Sequence, residues 1–183
     1  MHARHFTRVT VAGPFTYIVA DGVVLASGWT QDLQELVQLI HPILRPVRLH
    51  ESPDAQVESA LNGYDQGNLH SIDAVRVLQR CGPFLAQARE VLRSVRPGAP
   101  ISYTELARRA GRPAAVRAAA AACGHNATSL FVPCHRVLRS NGGLGGFRYG
   151  LPTKVTLLRH ESLHAAASVG GLTRVSAADP WAP

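Results

Sequence analysis

The chain changes character at Cys81-Gly82-Pro83, and any fold for it must respect that break. Upstream, Val9, Val11, Phe15, Tyr17 and Val19 alternate with polar residues, and Val23-Val24-Leu25 follows. Such period-2 runs of β-branched and aromatic residues read as strands, with Gly13-Pro14 and Asp21-Gly22 as turns. Leu33, Leu36, Val37 and Ile40 then recur at helical spacing, and Pro42, Pro46 and Pro53 mark irregular chain or an edge strand. Gln56–Tyr64 reads as a short helix. Downstream of the break the pattern turns helical, beginning with an amphipathic stretch over Phe84–Val95. The expectation is a small α/β domain over 1–80, an antiparallel sheet with helices. A mostly α-helical domain follows over 81–164, then a disordered tail over 165–183.

Charge divides at the same place. Residues 1–85 hold six Lys+Arg against eight Asp+Glu, whereas 86–183 hold thirteen against four. A polyanion partner therefore belongs to the second half. Lys154 is the only lysine, so the basic charge is almost all arginine. The three cysteines include no CxxC pair, which argues against a disulfide framework and a Cys-rich zinc site. The first residues, Met1-His2-Ala3-Arg4-His5-Phe6, lack the apolar run of a secretory signal, and no stretch has the length to cross a bilayer. A cytoplasmic protein without metal or cofactor is expected.

Within the second half, Ser102-Tyr103-Thr104-Glu105 has the form of a capping box, in which Ser102 and Glu105 satisfy each other's backbone amides. The helix it opens runs through Leu106 to Ala110 and stops at Gly111. Pro113 suits the first turn of the next helix, Ala114–Cys123, which is nearly all alanine. Two short helices around a glycine turn in a basic segment resemble a helix-turn-helix. Small side chains on the second helix offer little to read a major groove. They do let backbone approach a nucleic acid closely. Pro152 begins a final helix that should turn Val155, Leu158 and Leu163 inward and carry Glu161.

Phe131-Val132-Pro133-Cys134-His135-Arg136-Val137-Leu138 places a cysteine beside a base and a cation, and a glycine-rich loop, Gly142–Gly150, follows. Thiolates need a base or a positive field to form. Adjacent side chains seldom touch, so His135 would act on Cys134 through water, and Glu161 is the carboxylate placed to orient it. Cys81 and Cys123 carry no such neighbours and read as core. On the residues alone, Cys134 is either a nucleophile or a third packed cysteine.

Pro133-Cys134-His135-Arg136-Val137 resembles the active-site signature of the O6-alkylguanine-DNA alkyltransferases, the methylated-DNA–protein-cysteine methyltransferases. The resemblance runs from about Gly82 to Glu161. It includes Ser102-Tyr103, Ala115-Val116-Arg117-Ala118, Asn126, Gly145-Gly146-Phe147-Arg148 and Leu157-Leu158-Arg159-His160-Glu161. It implies repair of duplex DNA by irreversible transfer of an alkyl group from O6-alkylguanine, or O4-alkylthymine, to Cys134. His135 and Glu161 would relay the proton, Tyr103 would donate to the departing base, and Asn126 would shape the turn before the motif. Arg117 would enter the stack in place of the flipped nucleotide. Tyr103, Thr104, Ala115, Ala118 and Ser140 would join it in holding DNA. Pro133, Gly145, Gly146, Phe147 and Arg148 would wall the base pocket. A monomer is implied, with damaged duplex DNA as partner, no membrane and no metal.

Rival readings are a non-catalytic lesion sensor, which would lack the acceptor cysteine, a helix-turn-helix regulator and a cysteine hydrolase. The family often carries a tryptophan in the first helix of this half, and Phe84–Val95 has none.

Overall fold

A computed structural model describes residues 2–168. Its first half is a four-stranded sheet in the order β3-β2-β1-β4, with β1 at His2–Thr10, β2 at Gly13–Ala20, β3 at Val23–Gly28 and β4 at Arg48–Glu51. Asp21 and Gly22, both at positive φ, close the β2–β3 hairpin, as a two-residue primed turn requires. The sheet is mixed, not antiparallel as the sequence suggests, because β4 pairs with β1 in parallel, His2 opposite Arg48. β4 is short, charged and solvent-facing, the form an edge strand takes to avoid pairing further.

Alternation along the strands sends side chains to both faces, and both faces are covered. Ile18, Ala20, Leu25 and Ala26 pack against Leu36 and Ile40 on one face, where α1 (Leu33–Leu39) lies. Phe15, Tyr17, Val19 and Val24 face the other way. They join Val57, Leu61 and Tyr64 of α2 (Ala55–Asp65) and, from the second half, Leu130, Phe131 and Leu157. One apolar core thus runs across the sequence break. Backbone bonds reinforce it: Ser27 of β3 donates to Ala127 at 2.8 Å and accepts from Ser129 at 3.2 Å, which seats the segment before Cys134 along the sheet.

The second half is α3 (Pro83–Ser94), β5 (Ile101–Ser102), α4 (Tyr103–Arg109), α5 (Val116–Gly124), β6 (Val137–Leu138) and α6 (Leu151–Ser168). The Ser102 hydroxyl accepts from the Glu105 amide at 3.0 Å, as its cap position predicts. The reciprocal bond is absent because the Glu105 carboxylate is held by Arg108 and Arg109 one turn on. Pro113 lies in the turn ahead of α5, which starts at Val116. Leu92, Leu106, Ala107, Ala119 and Ala122 form the core among α3, α4 and α5. Alanine there lets the helices close on one another, and the same cluster takes in Val132, Cys134 and Val137.

In α6, Lys154, Leu157, Leu158 and Glu161 form the buried stripe, at i, i+3, i+4 and i+7, while Leu163 is exposed. Leu163 thus faces solvent instead of the core. The helix continues through Ser168, so the expected tail starts inside it, and 169–183 lie outside the described residues. Among the described residues, no helix is long and apolar enough to cross a membrane.

Candidate active site

Cys134 sits on a single 3-10 turn, Cys134–Arg136, between the segment seated on β3 and the short strand β6. The turn is buried throughout. It forms because Pro133 cannot donate a backbone bond, the Cys134 amide reaches back to Val132 at 2.8 Å, and Arg136 closes the turn on Pro133. The Cys134 thiol is at the foot of an open pocket of about 440 Å³. Tyr103, Cys123, Asn126, Gly146, Phe147 and Arg148 are among the lining residues. Gly145 lies against Tyr103, and a side-chain carbon there would come within 3.0 Å of the phenol oxygen. Pro133 is buried and is not among the lining residues.

Rings hold the wall in position. Trp29, at the end of β3, packs on Phe147 and Tyr149, with ring centroids 5.9 Å apart in each case. Arg148 ties the same loop to the end of α5 through a 2.6 Å bond to the Gly124 carbonyl. The first half therefore helps to shape a pocket whose thiol, Cys134, lies in the second.

Behind the thiol is a fully buried ionic cluster. His135 Nε2 lies 2.8 Å from Glu161 Oε1. Arg136 Nε reaches both Glu161 oxygens, at 3.1 and 3.0 Å, and its Nη2 adds a bond at 2.9 Å. The Tyr64 hydroxyl donates to Glu161 Oε1 at 2.9 Å. Burial alone would raise the Glu161 carboxyl, but the contacts to His135 and Arg136 more than reverse this and hold it below the ordinary carboxylate range. Because arginine is charged at any relevant pH, Glu161 stays ionised even when His135 is neutral. Burial in turn pushes the imidazole below its usual value, against the pull of Glu161. An ionised Glu161 accepts, so Nε2 carries the proton and Nδ1 the lone pair. Nδ1 is buried and bonds to no group of the protein among the described residues.

The thiol has its own electrostatics. Burial raises it above the ordinary cysteine value, and the amide of Asn126 and the charge of Lys154 pull it back. Asn126 Nδ2 donates to Cys134 Sγ at 3.3 Å and to the Val132 carbonyl at 2.7 Å. Lys154 is fully buried, its Nζ bonded to the Val137 and Leu144 carbonyls, and burial pushes its ammonium down to about 8. It pins the glycine-rich loop to β6 while placing a cation near sulfur. Burial also drives the Tyr103 phenol up to about 12, which keeps it a proton donor.

The remaining sequence-derived residues do not reach the pocket. Arg117 on α5, Thr104 on α4 and Ser140 after β6 are exposed, and Ala115 and Ala118 are half-buried. Residue patterns gave no sign of Tyr64, 97 positions from its partner, or of Lys154. Arg136, read in the sequence as a positive charge beside Cys134, spends its guanidinium on Glu161 instead. Among the described residues no cluster of His, Cys, Asp and Glu is arranged to hold a metal ion.

Residues 83–163 match the family model described as "6-O-methylguanine DNA methyltransferase, DNA binding domain". Fold, site and domain match together place the chain in the class of proteins built around that DNA-binding domain. A methylated-DNA–protein-cysteine methyltransferase of Shigella flexneri is 35% identical over 156 residues, spanning 83% of this chain and 91% of the relative. The bifunctional transcriptional activator/DNA repair enzyme Ada of Escherichia coli is 44% identical over 79 residues, 43% of this chain and 22% of that one. Among solved structures, Mycobacterium tuberculosis OGT in complex with DNA superposes with a TM-score of 0.74 at 25% identity, covering 88% of this chain and 94% of that one. This chain belongs to the methylated-DNA–protein-cysteine methyltransferase family.

Proposed function

We propose that this protein repairs DNA by direct reversal, moving the alkyl group of O6-alkylguanine onto Cys134. The observation that carries this reading is the thiol at the foot of an open pocket with an Asn126 amide 3.3 Å from its sulfur and the His135–Glu161 pair behind it.

His135 Nδ1 takes the thiol proton through an intervening water, and Glu161 stabilises the imidazolium that forms. The thiolate attacks the alkyl carbon, the C–O bond breaks, and its electrons go to the guanine. Tyr103 donates a proton to the departing base, which lowers the cost of the anion. The product is a thioether at Cys134. Its carbon carries no leaving group, so no simple step restores the thiol and each molecule acts once. Incubation with methylated duplex should add one methyl mass per protein, on the peptide holding Cys134. Repeated turnover, or a methyl on Cys81 or Cys123, would sink this proposal.

The O6 atom is hidden inside a duplex, so the nucleotide must leave the stack to reach the pocket. In this reading α4 and α5 act as a helix-turn-helix, with the small side chains of α5 set close in the minor groove and Tyr103, Thr104, Ala115, Ala118 and Ser140 along the DNA. Arg117, exposed on α5, fills the gap left by the flipped base. Unstacking costs a few kcal/mol. Arg117→Ala should therefore slow repair of duplex lesions by about 10- to 100-fold, at roughly 1.4 kcal/mol per factor of ten. Its reaction with free O6-benzylguanine should stay close to normal. Equal losses on both substrates would remove Arg117 from base flipping.

A further inference from the structure

The Asn126 side chain that touches the sulfur is itself held by a residue far off in sequence. Gln79 lies just ahead of the Cys81-Gly82-Pro83 break. Its Nε2 donates to Asn126 Oδ1 at 2.9 Å and bonds Thr128 Oγ1 at 2.6 Å. Its Oε1 accepts from the Ala127 amide at 2.8 Å. Asn126 then passes the contact on, with Nδ2 bonded to Cys134 Sγ and the Val132 carbonyl. We infer that Gln79 is a positioning residue for alkyl transfer, acting through Asn126 to aim and strengthen the side-chain amide that donates to the Cys134 sulfur.

The physics has two parts. Asn126 is 1% exposed, so its amide must find partners inside the protein, and a misdirected oxygen would leave it facing sulfur and a carbonyl. The Thr128 amide donates to Oδ1 at 3.2 Å, and Gln79 is the second, shorter donor there that favours the orientation placing Nδ2 on the sulfur. That donor also polarises the amide, and hydrogen bonds in such a chain strengthen one another in a low-dielectric interior. A stronger donor on Sγ favours thiolate over thiol. Gln79 does this from a half-buried position outside the pocket, so it never meets the base.

Glutamate and methionine at position 79 separate this role from simple bracing. Gln79→Glu keeps the shape and the acceptor for the Ala127 amide, and it replaces the donor to the Thr128 oxygen with an acceptor that the Thr128 hydroxyl can turn to. It presents a negative oxygen to Asn126 Oδ1, so the chain is reversed in polarity. Gln79→Met has similar length and loses every bond. Bracing alone makes methionine the worse substitution. Aiming of the amide makes glutamate the worse one.

The inference rests on Cys134 being the alkyl acceptor, and the experiment keeps the two apart. Benzyl transfer from free O6-benzylguanine to Cys134 would be followed by mass spectrometry as a function of pH, for wild type and both variants, beside their thermal midpoints. The pH of half-maximal rate should rise in the order wild type, Gln79→Met, Gln79→Glu. The neutral-pH rate of Gln79→Glu should be about tenfold below wild type, the equivalent of one pKa unit. Its thermal midpoint should be no lower than that of Gln79→Met. Unchanged pH profiles in both variants, or a larger shift for methionine than for glutamate, would overturn the role of Gln79 while leaving Cys134 as acceptor. A wild type that takes no benzyl group at Cys134 would overturn the alkyl-acceptor reading and this inference with it. Should neither variant fold, side-chain amide NMR of the wild type decides: Gln79 protons protected from exchange and close to Asn126 support the role, and freely exchanging ones overturn it.

Discussion

Cys134→Ala will abolish alkyl transfer and leave binding to undamaged duplex intact. Nothing else in the pocket can replace the sulfur: Cys123 lines the same cavity, but burial holds its thiol far above the ordinary range, so it supplies almost no thiolate. The substitution removes one buried atom from the core among α3, α4 and α5, where Cys134 is 7% exposed. Small deletions of that size cost about 1 kcal/mol, which lowers the melting point of a domain this size by about 2–4 °C. A folded, DNA-binding protein that no longer gains mass is the expected result. Residual transfer above a few per cent of wild type would mean that another nucleophile does the work.

Glu161→Gln should damage both fold and activity. Glu161 is fully buried and accepts from His135, Arg136 and Tyr64. Removing its charge leaves Arg136, 1% exposed, without a counter-ion. Breaking a buried pair from one side costs about 3–5 kcal/mol. Activity falls further, because a neutral amide does not stabilise the imidazolium that proton transfer creates. The pH dependence of unfolding gives an independent check. The folded Glu161 carboxyl lies below its ordinary value, so the unfolded chain takes up the proton first. The stability it contributes is present above the unfolded carboxylate value of about pH 4.3 and is lost as pH falls below it. Chemical denaturation from pH 7 to 3 should show that acid-side loss in wild type and a shallower one in Glu161→Gln. Parallel curves would mean that the cluster holds no ionised carboxylate.

These two residues were legible because each stands in a local pattern. Cys134 is framed by Pro133, His135 and Arg136, and Glu161 is the one carboxylate between Glu105 and the described C-terminal end. The same holds for the Ser102 cap and the Asp21-Gly22 turn, whose physics is settled within four residues. What escaped the sequence was settled over long spans. β4 joins β1 in parallel across some forty residues, and its four polar-leaning positions carry no period that could announce it. Tyr64 appears in a short amphipathic helix as an ordinary core aromatic, and only the fold turns its hydroxyl toward Glu161. Gln79 sits in a stretch without periodicity, where a polar residue looks like a solvated linker. Leu163 misled for a related reason: the inward stripe of α6 is completed by Lys154 and Glu161, two charged residues that a hydrophobic pattern does not count.

Lys154 has a consequence for the outside of the molecule. The chain has no other lysine, and this one is fully buried with its ammonium spent on two carbonyls. The permanent positive charge that side chains show to solvent is therefore guanidinium throughout. Guanidinium does not titrate in any physiological range and does not acylate as an amine does. The arginine contribution to the surface charge is thus the same from acid to mildly alkaline conditions, and the one lysine, buried and bonded to the glycine-rich loop and β6, is closed to acylating reagents in this fold.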